Sequence, residues 1–410
     1  MNILILHEVD WLRKVVYEVH DFPEVLSLRG HNVTVVDLEE EWERNGWRDI
    51  VRWRTAVVPD VHRSRPGARI ELRRPAIVKV RYMDRLSSLF TQYAELRHIL
   101  ATREIDIVFS YAMPNSGLGA IHLARRHSIP IVFRSIDALH LLRPGPWAKY
   151  VLWSERRGYP QVDYILALTG KLKEYVVGLG ADPEKVEVLL PGMDRELFKP
   201  SAPDSALAAE LGIRPDDQVA VFVGTMFPFA GIDFLIERFR DLAAIAPRAR
   251  LLLVGGGLNY DNFRQQARQL GLGDRVIFTG FVPFQDVPRY VSLARICVNS
   301  FHVNDVTKDV FPGKVPQYLA CGKPLVCTPL PGTMDVLGGE ENGVLFRDLG
   351  PEFIRAVGEL LQNEARAKEL GAHGRRYVEE NMNWDRAVDR VEAVFEEQIG
   401  RRRNRSRCES

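Results

Sequence analysis

The stretch KPSAPDSALAAELGIRPDDQVAVFVGT, residues 199–225, shows how the chain is divided. Its first part is rich in proline, alanine, aspartate and serine, a composition typical of a linker that contains a short helix. Its second part, VAVFVGT, is an unbroken apolar run of strand length that ends at a glycine. A new series of strands and helices therefore begins near residue 218, and we predict two domains.

Short apolar segments alternate with helical ones on both sides of this stretch. In the first half they are NILIL (2–6), NVTVV (32–36), IDIVFSY (105–111), IPIVFRS (129–135), VDYILALT (162–169) and EKVEVLLPG (184–192). In the second half, after VAVFVGT, they are ARLLLVGGG (249–257), DRVIFTGFV (274–282), RICVNSF (295–301) and KPLVCTP (323–329). Continuous apolar strands joined by helices predict parallel sheets that are covered on both faces.

We therefore predict an α/β chain with two doubly wound Rossmann-like domains that face each other across a cleft. The predicted segments are a first domain at 1–195, a linker at 196–217, a second domain at 218–380, a helix at 381–400 and a basic disordered tail at 401–410. In open sheets of this kind, ligands bind beyond the carboxyl ends of the strands.

The composition excludes several classes of protein. The 410 residues are 46% hydrophobic and 27% charged with a net charge of +1, which indicates a globular protein and no nucleic-acid partner bound by bulk charge. The four cysteines form no C-x-x-C pair, as expected in a reducing compartment. The run Ile3–Leu6 is too short for a signal peptide, and no run approaches the roughly 18 apolar residues of a membrane span. A cytoplasmic location is expected.

The stretch DVFPGKVPQYLACGKP, residues 309–324, places Lys314 in the first turn of a short helix. A cation is unfavourable at the positive end of a helix, so its presence there suggests that an anion binds beside it. Gly313 would let the backbone approach such a ligand closely. The alternative is a solvated lysine at a frayed helix end.

Several segments together resemble the family-4 retaining glycosyltransferases of GT-B fold, the group 1 type. They are RGHNVTVV (29–36), IPIVFRSIDALH (129–140), VEVLLPGMDRELFKP (186–200), FVGTMFPFAGIDFLIE (222–237), LLLVGGGLNYDNFRQQARQLGLGDRVIFTGFV (251–282), FPGKVPQYLACGKPLVCT (311–328) and ENGVLF (341–346). Each has a family counterpart in the same order and at similar spacing, over nearly the whole chain. The resemblance implies transfer of a sugar from a nucleotide-diphosphate sugar, held by the second domain, to a glycan, lipid-linked or small-molecule acceptor, held by the first.

The family carries two glutamates just before the ACGKP turn, and this chain has Asp309 and Gln317 in their places. The resemblance implies that Asp309 is catalytic and contacts the donor sugar, and that Gln317 binds the ribose hydroxyls. The family's Arg and Lys, which clamp the donor diphosphate, correspond to Thr225 and Ala230. Lys314 is predicted to supply the charge that these two positions lack.

Further contacts follow from the matched segments. On the donor side they are Gly224, Thr225, Phe281, Val282 and Gly313. On the acceptor side, the family's histidine corresponds to Ile136, and we expect the next residue, Asp137, to orient an acceptor hydroxyl as a second catalytic residue. Arg134 would hold a phosphate, and the other suggested acceptor contacts are His140, Glu8 and Asp10. The alternatives are a helix N-cap for Asp137 and a packing or surface role for His140.

The chain contains no D-x-D pair, which agrees with a metal-independent transferase without a cofactor, in which protein cations and helix dipoles stabilise the leaving diphosphate. A dinucleotide-dependent oxidoreductase is excluded because no strand is followed by G-x-G-x-x-G. A non-catalytic GT-B scaffold that binds a sugar or a partner enzyme remains an alternative, because Thr225, Ala230 and Gln317 depart from the family pattern.

The segment 44–85 is basic and carries interleaved aromatic residues. Its cations are Arg44, Arg48, Arg52, Arg54, Arg63, Arg65, Arg69, Arg73, Arg74, Lys79, Arg81 and Arg85, and its aromatic residues include Trp47, Trp53 and Tyr82. This composition suits an anionic membrane surface or a lipid-phosphate acceptor, with the protein peripheral on the inner face of the membrane. A solvated basic face is the alternative, and the family resemblance argues against nucleic acid.

Overall fold

The computed structural model describes residues 1–40, 42, 47–142 and 145–409. The chain forms two compact units: unit 1 comprises Met1–Pro191 and Trp384–Ser410, and unit 2 comprises Gly192–Asn383. The predicted boundary at 195 differs from the observed division at 191/192. The segment 196–217, predicted as a linker, belongs to unit 2.

The elements of unit 1 alternate strand and helix over most of its length. They are β1 (Asn2–Leu6), α1 (Glu18–Leu28), β2 (Asn32–Val36), β3 (Val51–Arg52), β4 (Ala56–Val61), β5 (Ile70–Arg74), β6 (Ile77–Val78), α2 (Met83–Thr102), β7 (Ile107–Ser110), α3 (Gly117–Arg126), β8 (Ile131–Ser135), α4 (Pro146–Gly158), β9 (Tyr164–Ala167), α5 (Gly170–Gly178) and β10 (Val186–Val188).

The main sheet of unit 1 has the strand order β10-β9-β8-β7-β1-β2-β5-β4. Its strands are parallel except for β4, which runs antiparallel to β5, and β3 and β6 form a separate antiparallel pair. The strands that the sequence predicted in this unit are parallel as expected, and β4 adds at this edge an antiparallel strand that was not predicted. The residues of β4 alternate between exposed and half-buried and include Pro59, as expected for an edge strand with one face in solvent.

The elements of unit 2 repeat the same alternation. They are α6 (Ser205–Glu210), β11 (Gln218–Val223), α7 (Ile232–Glu237), α8 (Phe239–Ile245), β12 (Ala249–Val254), α9 (Tyr260–Gln269), β13 (Val276–Gly280), α10 (Val287–Ser292), β14 (Ile296–Asn299), α11 (Lys314–Ala320), β15 (Leu325–Cys327), α12 (Pro331–Leu337), β16 (Val344–Phe346), α13 (Pro351–Gln362) and α14 (Glu364–Asn381). Its sheet has the order β13-β12-β11-β14-β15-β16 and all its pairs are parallel.

The last helix, α15 (Trp384–Glu409), belongs to unit 1. Val388, Val391 and Phe395 recur at helical spacing and are buried in the core of that unit. This helix begins three residues after the predicted start at 381 and includes residues 401–409 of the predicted tail. Arg402 extends this attachment through an ion pair with Asp163 at 2.9 Å.

Within the described part of the chain, no helix combines the length and the apolar character needed to cross a membrane. A cytoplasmic location stays a prediction.

Candidate functional site

Glycines end the central strands of unit 2. Gly224 follows β11 with a φ of +140°, and Gly255 follows β12 with a φ of +131°. A Cβ on Gly255 would lie 2.1 Å from the carbonyl oxygen of Gly224, so the two strand ends approach each other too closely for any side chain. At this edge of the sheet a ligand could therefore contact the backbone directly, as the predicted donor site requires.

Phe281 lies at the same edge, directly after β13. A Cβ on Gly256 would lie 2.9 Å from the Phe281 ring, so this ring covers the glycine loop that follows β12. The Phe281 side chain is exposed, and its neighbour Val282 is half-buried. An exposed aromatic face at the carboxyl end of a strand offers a surface on which a base can stack.

Lys314 begins α11, and Tyr318 fixes that helix to the sheet. The hydroxyl of Tyr318 accepts a hydrogen bond of 2.6 Å from the backbone N–H of Val223, at the end of β11. Residues four apart lie on the same face of a helix, so the Lys314 side chain points toward β11 as well. A Cβ on Gly224 would lie 3.2 Å from the Lys314 Nζ.

The Lys314 Nζ lies between two aromatic rings, 3.7 Å from the centroid of Phe222 and 4.3 Å from that of Phe301. This nitrogen is buried and has no hydrogen-bond partner among the described residues. Burial lowers the pKa of Lys314 well below its ordinary value, and Cys327 opposes that shift. The alternative of a solvated lysine is wrong, because the amine is enclosed by protein.

The two positions that replace the family's diphosphate clamp differ in their surroundings. Ala230 is fully buried in the core of unit 2, whereas Thr225 is half-buried beside Gly257. No described hydrogen bond involves the Gln317 side chain, which is half-buried on α11. Asp309 is half-buried too, and the backbone of Gly332 lies against its carbonyl group.

The Arg134 guanidinium of unit 1 is already engaged with protein. It donates to both carboxylate oxygens of Glu18, at 2.7 and 2.8 Å, and to the carbonyl oxygen of Leu189 at 2.9 Å. Both charged side chains are buried, so the pair holds β8 to the start of α1. A structural ion pair explains Arg134 better than the predicted phosphate ligand does, because few of its N–H groups remain for a substrate.

Glu8 and Asp10 bind protein groups rather than lying open at the sheet edge. Glu8 accepts from the backbone N–H of Asn115 at 2.7 Å and lies at the positive end of α3, where a carboxylate is favourable. Asp10 is buried and accepts from Arg74 and from the backbone N–H of Leu12 at 3.1 Å. These contacts engage Glu8 and the Oδ1 of Asp10 with protein groups, whereas the Oδ2 of Asp10 is buried without a hydrogen-bond partner among the described residues.

His140 joins a small polar network of unit 1. Its Nδ1 lies 2.7 Å from the Tyr175 hydroxyl and 3.1 Å from a carboxylate oxygen of Glu155. Glu155 is fully buried and also accepts from Tyr159. The packing role that the sequence left open for His140 agrees with this network.

Asp137 lies two residues beyond β8 and is partly buried. Burial and the nearby charge of Glu18 raise the pKa of Asp137 to about 7, against the opposing charge of Lys14. The next helical turn is a 3-10 helix at Leu139–Leu142, so Asp137 lies two residues before its start. A carboxyl group with a raised pKa near a strand end is typical of functional carboxylates.

The basic segment 44–85 does not form a continuous basic surface. Its cations contact protein acceptors in most cases: Arg52 and Lys79 bind Glu39, Arg63 binds backbone carbonyls, Arg65 binds Asp21, Arg73 binds Glu95, Arg74 binds Asp37, and Arg85 binds Glu40. Arg44 and the side chain of Arg48 lie outside the described residues. The charge that suggested a membrane surface is largely neutralised by acids elsewhere in the sequence.

Two features missed from the sequence shape these sites. Phe222 and Phe301 enclose Lys314. They lie near the ends of β11 and β14, which are adjacent in the sheet but far apart in the sequence, and an apolar residue near a strand end gives no signal of such a contact. Glu18 neutralises Arg134 from the first turn of α1, and only its charge within an otherwise apolar region could have suggested a buried pair.

A separate cavity of about 480 Å³ lies at the start of β13, lined by arginines that include Arg214, Arg264 and Arg268. It adjoins the amino end of that strand, so it is not part of the site formed by Gly224 and Lys314. Among the described residues, no group of three or more His, Cys, Asp or Glu side chains is placed to hold a metal ion. Metal independence stays a prediction.

Comparison with known families covers both halves of the chain. The family described as "Glycosyl transferase 4-like domain" matches residues 28–192, and "Glycosyl transferases group 1" matches residues 217–363. The chain belongs to the group 1 glycosyltransferases. The predicted family is confirmed by these matches, which meet near the division between units 1 and 2.

Curated relatives of this glycosyltransferase are distant in sequence. It is 27% identical over 345 residues to the GDP-mannose-dependent alpha-(1-6)-phosphatidylinositol monomannoside mannosyltransferase of Mycolicibacterium smegmatis, covering 81% of this chain and 85% of that protein. It is 29% identical over 232 residues to the D-inositol 3-phosphate glycosyltransferase of Segniliparus rotundus, covering 55% and 49%. It is 23% identical over 240 residues to the uncharacterized glycosyltransferase MJ1069 of Methanocaldococcus jannaschii, covering 58% and 59%. The last two matches thus span only about half of each relative.

Solved structures share the fold over nearly the whole chain. Sucrose-phosphate synthase from Thermosynechococcus elongatus has a TM-score of 0.77 at 19% identity, covering 98% of this chain and 100% of that one. Anabaena HepE in complex with UDP-glucose has a TM-score of 0.72 at 16% identity, covering 97% and 100%. The GT-B fold, with two Rossmann-like domains, is thereby confirmed.

Proposed function

We propose that this protein is a retaining, metal-independent glycosyltransferase that uses a nucleotide-diphosphate sugar. The observation that carries the proposal is the buried, unpartnered amine of Lys314 beside Gly224. The rings of Phe222 and Phe301 offset part of the cost of enclosing this amine, and an anionic ligand would supply the hydrogen-bond acceptor that it lacks. A diphosphate is the anion that this family's chemistry brings to that edge of the second domain.

The donor contacts follow from the same edge of unit 2. Gly224 and Gly313 would let backbone approach the diphosphate, and Lys314 would neutralise part of its charge. Phe281 and Val282 would contact the base, and Gln317 the ribose hydroxyls. The named complexes of HepE with UDP and UDP-glucose, and the named dependence of the M. smegmatis relative on GDP-mannose, support a nucleotide sugar without selecting the base.

In the proposed reaction, the bond between the sugar C1 and the diphosphate oxygen breaks while C1 bonds to an acceptor hydroxyl on the same face. The departing phosphate oxygen takes the proton of that hydroxyl. Lys314 lowers the barrier by stabilising the charge that develops on the leaving diphosphate. Asp309 would contact the donor sugar, and Asp137 would orient the acceptor hydroxyl.

The acceptor is proposed to be a glycan, a lipid-linked acceptor or a small molecule such as a polyol phosphate. The M. smegmatis relative is named for a phosphatidylinositol mannoside, and others are named for inositol 3-phosphate. Of the predicted acceptor residues, Asp137 is the one whose contacts leave it suited to a hydroxyl, because Glu8, Asp10 and Arg134 bind protein groups.

A thermal-shift screen of UDP-, GDP- and ADP-sugars tests donor binding. A ligand at one hundred times its dissociation constant should stabilise the protein by about 2.7 kcal/mol. The sugar that binds is then assayed for transfer and slow hydrolysis, with and without EDTA. Turnover that persists in EDTA is the expected result, whereas loss with EDTA and recovery with manganese would contradict metal independence.

The second candidate is a non-catalytic GT-B scaffold, which the uncharged Thr225, Ala230 and Gln317 favour. It predicts sugar or nucleotide binding without release of the nucleoside diphosphate. The same hydrolysis assay separates the two candidates, because any donor turnover that is lost in the Asp309→Asn variant requires a catalytic site.

A further inference from the structure

The cavity at the amino end of β13 lies away from the donor edge of unit 2. Its volume of about 480 Å³ falls within the range of roughly 300–1,000 Å³ that sites for small organic ligands occupy. Its walls come from the turn after α6, the start of β12, the helix α9 and the start of β13. We call it the arginine cavity, after the four arginines that line it: Arg214, Arg250, Arg264 and Arg268.

Arg250 is engaged with protein groups. Its Nε lies 3.0 Å from a carboxylate oxygen of Asp217, and its Nη1 donates a hydrogen bond to the carbonyl oxygen of Asp274. The charge of Arg250 is therefore already balanced, and this side chain serves mainly as a wall of the cavity.

The other three arginines of the cavity lack such partners. Arg214, Arg264 and Arg268 are exposed, and within the described part of the chain their side chains make no ion pair and no hydrogen bond. Arg238 and Arg355, which are exposed elsewhere in unit 2, each pair with a carboxylate three residues away, at 3.3 and 3.0 Å. The arginine cavity thus collects cations that the protein leaves unbalanced.

Two of these cations repel each other. Arg264 and Arg268 are four residues apart on α9, so they lie on the same face of the helix, where like charges are destabilising. The carboxyl end of α9 favours a cation and accounts for Arg268, but it does not account for Arg264. Arg214 adds a third positive charge from the turn after α6. An anion bound among the three would remove the repulsion.

The rest of the arginine cavity suits a carbon skeleton with hydroxyl groups. Val276, Ile277 and Phe278 line it, and the only acid in the lining is Asp274. β13 is also the edge strand of its sheet, so one row of its backbone N–H and C=O groups faces away from the other described strands of that sheet. Apolar side chains can pack against a sugar ring, and free backbone groups can bond to its hydroxyls. A bare inorganic anion would use neither.

We propose that the arginine cavity binds a small sugar that carries two phosphate groups. The guanidinium group recognises phosphate through its paired N–H donors, and two phosphates can engage the three unbalanced arginines together. The cavity lies at the amino ends of the strands, whereas the proposed donor site lies at their carboxyl ends. The proposal therefore does not rest on the identity of the donor or the acceptor.

A nucleic acid or another large polyanion is a poorer occupant, because the unbalanced charge does not continue beyond the cavity. The neighbouring arginines bind protein groups: Arg240 donates to the carbonyl oxygen of Leu270 at 3.1 Å, Arg248 pairs with Asp216 at 3.1 Å, and Arg275 donates to the carbonyl oxygen of Pro247 at 2.7 Å. A long polyanion needs a row of free cations along its backbone.

Calorimetric titration tests the site with two probes, fructose 1,6-bisphosphate and ribulose 1,5-bisphosphate. At least one of them should bind at one site per chain, and more weakly as salt is added. The corresponding monophosphate should bind about tenfold more weakly or less tightly still, since one set of charge-assisted hydrogen bonds is lost, and the free sugar should not bind measurably.

Variants locate the bound probe. Arg264→Gln/Arg268→Gln should lower the affinity for the bisphosphate by about tenfold or more, and Arg214→Gln by about fivefold. The matched control Arg238→Gln/Arg355→Gln removes the same charge from exposed positions of unit 2 outside the cavity and should bind as the parent does. Lys314→Met, at the donor edge, should also bind the probe as the parent does. Circular dichroism and melting curves establish that each variant folds.

Four outcomes would overturn the proposal. One is a parent protein that binds neither bisphosphate. Another is a folded Arg264→Gln/Arg268→Gln variant that binds as tightly as the parent. The third is loss of probe binding in Lys314→Met, which would place the probe at the donor edge. The fourth is a single-stranded RNA oligonucleotide that depends on the same arginines and binds more tightly than either bisphosphate, which would assign the cavity to a large polyanion.

Discussion

Lys314→Met is the substitution that tests the donor site most directly. Methionine keeps an unbranched apolar stem between the rings of Phe222 and Phe301, so the packing of α11 should survive. The change removes the amine that lies within about 4 Å of both ring centroids and beside Gly224. A hydrogen bond to a charged group contributes roughly 1.5–3 kcal/mol, so the variant should bind a nucleoside diphosphate about ten- to a hundredfold more weakly. Binding of the free nucleoside should hardly change.

The protonation of Lys314 adds a second signature. Burial lowers the pKa of Lys314 in the ligand-free protein, so this amine loses its proton at a lower pH than an exposed lysine does. A bound diphosphate favours the charged amine and raises that pKa again. Binding should therefore take up a proton, and the affinity for the diphosphate should fall as pH rises. A lysine with a depressed folded-state pKa destabilises the folded protein below its unfolded pKa, so Lys314→Met should raise the ligand-free melting temperature at neutral pH.

Calorimetry in buffers of different ionisation enthalpy measures affinity and proton uptake together. The parent should show proton uptake with UDP or GDP, and Lys314→Met should show less. Lys368→Met, at an exposed lysine of α14 that pairs with Glu364, is the matched control and should leave both quantities unchanged. A Lys314→Met variant that binds the diphosphate as tightly as the parent, with the same proton uptake, would refute the assignment.

Three other substitutions separate the remaining roles. Gln317→Ala should lower the affinity for the nucleoside and for the nucleoside diphosphate by the same factor of about five, because one neutral hydrogen bond to the ribose is lost. Titration of both ligands would measure this. Asp309→Asn should leave nucleotide affinity nearly intact and lower kcat by at least about tenfold, as measured by nucleoside diphosphate release. In the parent, kcat/KM for the acceptor should rise as Asp137 ionises near its pKa of about 7, and Asp137→Asn should remove that rise. Because the folded-state pKa of Asp137 is raised, ionisation of this residue destabilises the folded protein. As the pH rises from about 4 to about 7, the melting temperature of the parent should therefore fall more than that of Asp137→Asn.

The sequence predicted the strands of both units well because their signal is local. NILIL, VAVFV and RLLLV are short apolar runs, and each becomes a central parallel strand whose two faces are covered. Glycine after such a run also marked the strand ends correctly, because the close approach of Gly224 and Gly255 excludes a side chain.

The segment between β2 and β7 could not be predicted in the same way. Its arginines suggested a solvated or lipid-facing surface, but the acids that bind them lie elsewhere, such as Asp37 for Arg74 and Glu95 for Arg73. Long-range pairing of this kind leaves no periodic signal in the sequence.

The roles predicted for the acceptor residues were also affected by contacts that the sequence does not show. Strand ends located Glu8, Asp10 and Arg134 at the correct edge of the sheet, but position alone does not show whether a charged side chain is free. Glu8 lies at the start of α3, and Arg134 binds Glu18, which is far away in the sequence. A charged residue at a strand end is a candidate for substrate binding only if its contacts with other protein groups leave it free to bind a substrate.

Lys314 illustrates how the two kinds of evidence combine at the donor site. The sequence shows that the charges expected at Thr225 and Ala230 are absent, which by itself favours a non-catalytic scaffold equally well. Ala230 is buried in the core, so a lysine at this position would need a different local packing. The packing of this chain therefore agrees with the absence of a charge at position 230. An amine placed beside Gly224 from the opposite side, on α11, restores one positive charge to the same edge of the sheet. The rings of Phe222 and Phe301 stabilise the amine by cation–π contacts but make no hydrogen bond to it, and a bound diphosphate would supply that bond. A scaffold that binds a nucleotide would use the amine in the same way, so donor turnover, and not the burial of Lys314, separates the enzyme from the scaffold.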